Sequence, residues 1–168
     1  MRRLVLLALL APASPTFADC AGTTFLSCNV GRGRHLEVCI EPGARAFAYA
    51  FGPAGAPELT LREDFSAGTA RPWNGVGRTI WASVGFRNAG YVYEAWHSLD
   101  RLDPEAVPEG GVNVLKGEAT VATLQCRRGP GPGPDTVIAP VFAIEDAMQA
   151  AGFCRDREAG TWRRDGCG

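Results

Sequence analysis

The sequence predicts a mostly β fold. It is an antiparallel meander of about eight strands, closed as a barrel or folded as a sandwich, followed by a C-terminal helix and a disulfide-closed tail. Three observations predict it. Residues 23 to 126 alternate apolar and polar side chains with period two, interrupted by glycine and proline. The connections between these runs leave no room for the crossover helices that parallel strands need. A helical period follows a Gly/Pro run, Gly129 to Pro134.

The elements follow in order. Leu26, Cys28 and Val30 alternate with polar neighbours, as do Leu36, Val38 and Ile40 against His35, Glu37 and Glu41; VGRGR between them is a hairpin turn. In AFAYAF, Phe47, Tyr49 and Phe51 take one face and the alanines the other. Leu59 and Leu61 alternate with Glu58, Thr60 and Arg62. Ile80, Ala82, Val84 and Phe86 make the fifth face, and the aromatic run Tyr91 to Trp96 suits a pleated sixth strand. Val112 and Val114 mark the seventh, and Lys116-Gly117 turns the chain into the last, Ala119 to Cys126. Closure into a barrel would remove exposed edges. GPGPGP supports neither helix nor ladder, because proline lacks the N–H donor. From about Pro140 to Ala151, Val141, Ile144, Met148 and Ala151 share one helical stripe, with Glu145 and Asp146 on the other side. Gly152 stands where a helix-ending left-handed residue is wanted, and Phe153 packs back. The expected organisation is a signal peptide over 1–18, a β-barrel-like domain over 19–128, a linker over 129–139, and a helix with its tail over 140–168, docked as a cap.

The N-terminus predicts export. Arg2 and Arg3 precede the apolar run Leu4 to Ala13, and Thr16-Phe17-Ala18 offers small residues at the cleavage positions. The expected mature chain starts at Asp19 and is periplasmic or secreted. A lipid-attachment site would want a small residue before Cys20, and Asp19 stands there. Cys20, Cys28, Cys39, Cys126, Cys154 and Cys167 form an even set, which an oxidising compartment would pair. The expected pairs are Cys28–Cys39 across the hairpin, Cys154–Cys167 and Cys20–Cys126. Metal-ligand spacing is absent, since no C-x-x-C occurs and the chain has two histidines, so neither a metal nor another cofactor is expected.

Charge excludes further classes. Cleavage removes two arginines and no acid, taking the formal charge from −1 to −3. Nucleic acid would require a positive face, so no nucleic-acid partner is expected. No later stretch is long and apolar enough to be a transmembrane segment.

Two loops exceed hairpin length, Asp64–Arg78 and Ser98–Gly111, and long loops on a rigid scaffold are where function concentrates. In a meander both open at one end, where Arg71 or Arg78 would reach Asp100 or Asp103. The expected contact residues are Arg71, Trp73, Asn74, Arg78 and Asp100. An indole beside forked guanidinium donors suits a sugar face or a carboxylate. Against this stands the reading that Trp73 plugs the barrel mouth and the glycines only turn the chain, since large aromatics usually fill cores. Asp100, Asp103, Glu105 and Glu109 match no calcium-loop spacing and read as a solvated acidic loop. No catalytic residue is assigned. His35 and His97 lack a recognisable nucleophile and orienting acid, and no G-x-S-x-G occurs.

Cys28 to Cys126, with LEVC, YAFG, PELTL, PWNGVGR and TLQC, resembles exported bacterial β-domain proteins of unassigned function, over roughly two thirds of the mature chain. In outline the plan is also similar to the periplasmic inhibitors of c-type lysozyme. That resemblance implies a disulfide-tied barrel that inserts a loop into a partner's cleft. The inhibitors' serine-containing motif is absent here, and so is the tryptophan expected just ahead of Lys116-Gly117. The expected role is an exported, inhibitor-like, non-catalytic binding module for an envelope protein or glycan. The competing readings are a hydrolase of envelope material and a structural envelope component.

Overall fold

The computed structural model describes residues 20, 22–127, 136–156 and 159–164. The period-two pattern folds as two antiparallel sheets around one shared core. The first holds β1 (Thr23–Gly31), β2 (Arg34–Glu41), β3 (Ala46–Pro53) and β4 (Leu59–Asp64). The second holds β5 (Ala70–Arg71), β6 (Thr79–Asn88), β7 (Tyr91–Asp100), β8 (Glu109–Lys116) and β9 (Ala119–Gln125). The chain then returns, and β10 (Thr136–Ile138) pairs with the free edge of β1. The orders are β10-β1-β2-β3-β4 and β5-β6-β7-β8-β9. The eight long strands stand where alternation places them. β5 and β10 are too short to produce a period. β10 occupies part of the expected 129–139 linker, of which residues 129–135 lie outside the described residues.

The sheets stay open, so the barrel alternative gives way to the sandwich. No ladder joins β4 to β6. After β4 the chain leaves the sheet through a 3-10 turn, Phe65–Ala67, capped by Asp64 and ended by Gly68 at φ 67°. A side chain is disfavoured at that angle, and glycine removes the conflict. Glu63 bridges the resulting gap. It lies in phase with Leu59 and Leu61 and is 8% exposed. Its carboxylate accepts the backbone N–H of Arg87 on β6 at 3.1 Å and the Arg87 guanidinium at 2.9 Å. A carboxylate thus replaces a ladder partner at this seam.

The opposite seam is covalent. Cys28, 1% exposed, bonds to Cys126 just after β9. Beside it Cys126 N–H donates to the Gly110 carbonyl at 2.8 Å, and Arg127 N–H to the Asn29 carbonyl at 2.7 Å. The second described disulfide joins Cys20 to Cys39. These pairings replace the expected Cys28–Cys39 and Cys20–Cys126. In the hairpin Cys28 stands opposite Leu36, while Cys39 stands opposite Thr24. Cys28 is in phase with the core-facing Leu26. Cys39 is out of phase with Leu36, Val38 and Ile40. The two sulfurs therefore leave opposite faces of the sheet and cannot meet. Cys154 is also disulfide-bonded; Cys167, its expected partner, lies outside the described residues.

One irregularity shapes the core. The β1–β2 register shifts between Thr24 and Leu26. This bulge turns consecutive residues, Phe25 and Leu26, inward, both 0% exposed. Beyond β10, α1 (Ala143–Ala150) starts later than Pro140 because residues 140–142 form a turn, in which Ala143 N–H donates to the Pro140 carbonyl at 3.0 Å. Ile144 and Met148 enter the core as the stripe predicts. Gly152 ends the helix at φ 84°, and Phe153 is buried. The tail is a hairpin of β11 (Phe153–Asp156) and β12 (Thr161–Arg164). Glu145 departs from expectation: it is buried, because this hairpin covers its flank and brings Arg155 to 3.8 Å.

Glu63→Ala is expected to lower unfolding free energy by about 2 kcal/mol, the scale of losing charge-assisted hydrogen bonds at a buried acceptor. Urea denaturation measures it. An unchanged midpoint would show that the β4–β6 seam holds without this carboxylate.

Candidate binding surface

The loop between β4 and β6 is fixed from inside. Trp73 is 6% exposed, and its indole Nε1–H donates to the Val76 carbonyl at 2.9 Å. The side chain closes the turn it stands in. Asn74 Oδ1 accepts Val76 N–H at 3.1 Å, an Asx turn that sets the tip. The loop backbone is gripped from the C-terminal hairpin. Arg155 donates to the carbonyls of Trp73 at 2.9 Å and Pro72 at 3.0 Å, and Trp162 Nε1–H donates to the Ala70 carbonyl at 2.8 Å. The tail therefore buttresses the loop from behind. Nothing in local sequence marks Arg155 or Trp162 for this task, since they lie some 80 to 90 residues beyond their acceptors.

The two long loops meet. Arg78 Nε lies 2.6 Å from Asp100 Oδ2, and Arg101 N–H donates to the Arg78 carbonyl at 3.2 Å. The Arg101 guanidinium covers the Trp73 ring at 5.1 Å from its centroid. Desolvation acts to raise the Asp100 pKa, but the Leu102 N–H and the Arg78 guanidinium outweigh it and hold the carboxyl below its ordinary value. Outside this lock Val76 is 72% and Leu102 66% exposed, two apolar side chains at the tips of braced loops.

The expected contact residues thus separate. Arg78 and Asp100 neutralise each other, and Trp73 faces inward, so this indole offers no sugar platform. Asn74 is exposed but turns the chain. Arg71 lies apart on β5, exposed, opposite Ser83 of β6. Asp100, Asp103, Glu105 and Glu109 line a groove of about 350 Å³. Asp100 and Asp103 each cap a backbone N–H two residues on, at Leu102 and Glu105. Among the described residues no group of three or more His, Cys, Asp or Glu is placed to hold a metal ion.

The chain matches no family model, no curated protein and no solved structure.

The histidines differ sharply. His97, in phase with Ala95, is 2% exposed and packs on Phe25 at 4.8 Å. Its Nδ1 has no hydrogen-bond partner among the described residues. Burial depresses its pKa to about 4 from the ordinary 6.5. His35 lies on the other side of the first sheet, where its Nε2 meets Ser27 Oγ at 2.9 Å. The β1–β2 register creates this contact as a diagonal, Ser27 facing Glu37 and Asn29 facing His35. A serine–imidazole pair can pass a proton. Mid-sheet, however, the backbone N–H groups are engaged in ladders and do not converge on a developing oxyanion.

Two outcomes are expected. Trp73→Ala should cost about 3 kcal/mol of stability, as large-to-small changes at buried aromatics do; unchanged stability in urea would remove Trp73 from the interior frame. For His97, the unfolded chain binds a proton below its ordinary pKa while the folded chain resists until about pH 4. Stability is thus constant above that ordinary value and falls by about 3 kcal/mol as pH drops to the folded pKa. Urea midpoints measured for wild type and His97→Leu between pH 7 and pH 4 should diverge by that amount, the wild type losing more. Parallel profiles would contradict the buried neutral imidazole.

Proposed function

We propose that this protein is an exported, non-catalytic binding module for an envelope protein or glycan, acting periplasmically or after secretion. The observation that carries the reading is the locked loop end. Arg78–Asp100, Arg101 over Trp73, and Arg155 on two loop carbonyls brace the loops, while Val76 and Leu102 project outward. Bracing lowers the ordering cost of association, and exposed apolar tips add contact area. In its inhibitor-like form, these tips enter a cleft of the partner. Disulfides in a chain where no described helix is long and apolar enough to cross a membrane agree with an oxidising compartment. The hydrolase reading has one observation in its favour, the Ser27–His35 contact.

A cross-linked pull-down from envelope extract tests the proposal, with the mature protein as bait. A stoichiometric partner caught by wild type and lost in Val76→Asp and Leu102→Asp is expected. Both substitutions are at exposed positions and should leave urea stability within about 0.5 kcal/mol. Equal capture by wild type and variants would remove the loop end from the interface. Turnover of envelope material abolished by His35→Ala would replace the module with the hydrolase.

A further inference from the structure

We propose that the outer face of the second sheet binds a neutral glycan, with Trp81 and Trp96 as stacking surfaces and Arg71 and Glu94 as its hydrogen-bonding pair. This rests on the binding-module reading and gives it a ligand class and a surface distinct from the loop tips.

The register assembles the face. Ala82, Val84, Phe86, Ala95 and His97 point into the core. The intervening residues of β6 and β7 point away from it. Pairing then sets Arg71, Ser83, Trp96, Gly111 and Gln125 in one row across all five strands. Trp81 lies diagonally beside Trp96, opposite Ser98, and is 39% exposed. In the adjoining row Gly85 faces Glu94. A groove of about 280 Å³ opens there, with Gly85 as its floor and Thr69, Arg71 and Glu94 on its walls. A Cβ on Gly85 would enter this groove, 3.2 Å from Val92 Cγ1 and 3.6 Å from Thr69 Cβ.

Two buried polar atoms on this face lack a hydrogen-bond partner among the described residues, Thr69 Oγ1 and Trp96 Nε1. Buried donors are rarely left so, and each invites an explanation. Trp96 lines a second groove, about 160 Å³, with Glu109 and Gln125.

The charges select the ligand. Arg87 is answered by Glu63, but Arg71 forms no ion pair among the described residues. Glu94 is met by the Ser83 hydroxyl at 3.2 Å and by no cation among the described residues. Arg87 also lines the main groove, but Glu63 answers its charge, so the groove offers one unanswered donor-only group, Arg71, and one unanswered acceptor-only group, Glu94, not paired with each other. An acidic ligand would be repelled by Glu94, and a basic one by Arg71. A neutral vicinal diol satisfies both, one hydroxyl accepting from the guanidinium and its neighbour donating to the carboxylate. The apolar face of a pyranose ring stacks on an indole, which carries a polar handle beside its apolar surface.

The test titrates the mature protein with chitotetraose, cellotetraose and mannotetraose, read by calorimetry and tryptophan fluorescence. Saturable binding of at least one is expected. Trp81→Ala and Arg71→Ala should each weaken it at least tenfold with near-UV circular dichroism retained, while Val76→Asp leaves it unchanged. Arg71→Ala keeps the test decisive if Trp81→Ala disturbs the sheet, because Arg71 is exposed. Silence with all three sugars at millimolar concentration, or binding that survives both substitutions within twofold, overturns the glycan site. Silent titrations combined with a protein captured through Val76 overturn this inference and leave the module standing. Silence in both assays brings down both.

Discussion

Everything on this scaffold depends on holding two open sheets face to face. The Cys28–Cys126 bond does so at one seam by joining residues 98 apart. Closing a loop of that length removes about 4–5 kcal/mol of conformational freedom from the unfolded chain in the chain-entropy account. The other seam has no covalent tie among the described residues. There the Glu63 carboxylate takes the place of a ladder acceptor for Arg87 N–H. Between the seams Phe25, Phe47, Phe86 and Met148 fill one core drawn from both sheets and the helix.

The C-terminal segment acts as a buttress. Arg155 spans from the buried Glu145 on α1 to two carbonyls of the β4–β6 loop. A guanidinium suits this position because its planar fork answers several acceptors at once, where an ammonium would be a point charge. Helix, hairpin and loop are thereby coupled, although they lie far apart in sequence. The loop end owes its rigidity to a side chain behind it.

Two surfaces follow from this frame, and they differ in character. The loop end carries small apolar tips over neutralised charges. The outer face of the second sheet carries indoles, the charges of Arg71 and Glu94, and a glycine floor at Gly85. The tryptophan that stands in the most conspicuous motif, PWNGVGR, serves the frame. Trp81 and Trp96, at plain positions of β6 and β7, lie on the outer side of the second sheet. The local sequence suggested an indole beside Arg71; in the structure Arg101 covers Trp73, while Arg71 and Trp96 share one row of the second sheet with Ser83 between them.

The sequence by itself determined the strand set, the hairpin turns, the helix stripe and its glycine stop. These are local: period two, turn chemistry and capping act within a few residues. The Cys28–Cys39 pair expected across the hairpin fails only once the β1–β2 register is known, because that register sends the two sulfurs to opposite faces. Openness of the sheets, the actual disulfide partners, the burial of Trp73 and Glu145, and the row joining Arg71 to Trp96 were decided by tertiary structure. Each depends on which distant element covers a given face, and pairwise contacts across 80 or more residues leave no periodic trace in the chain.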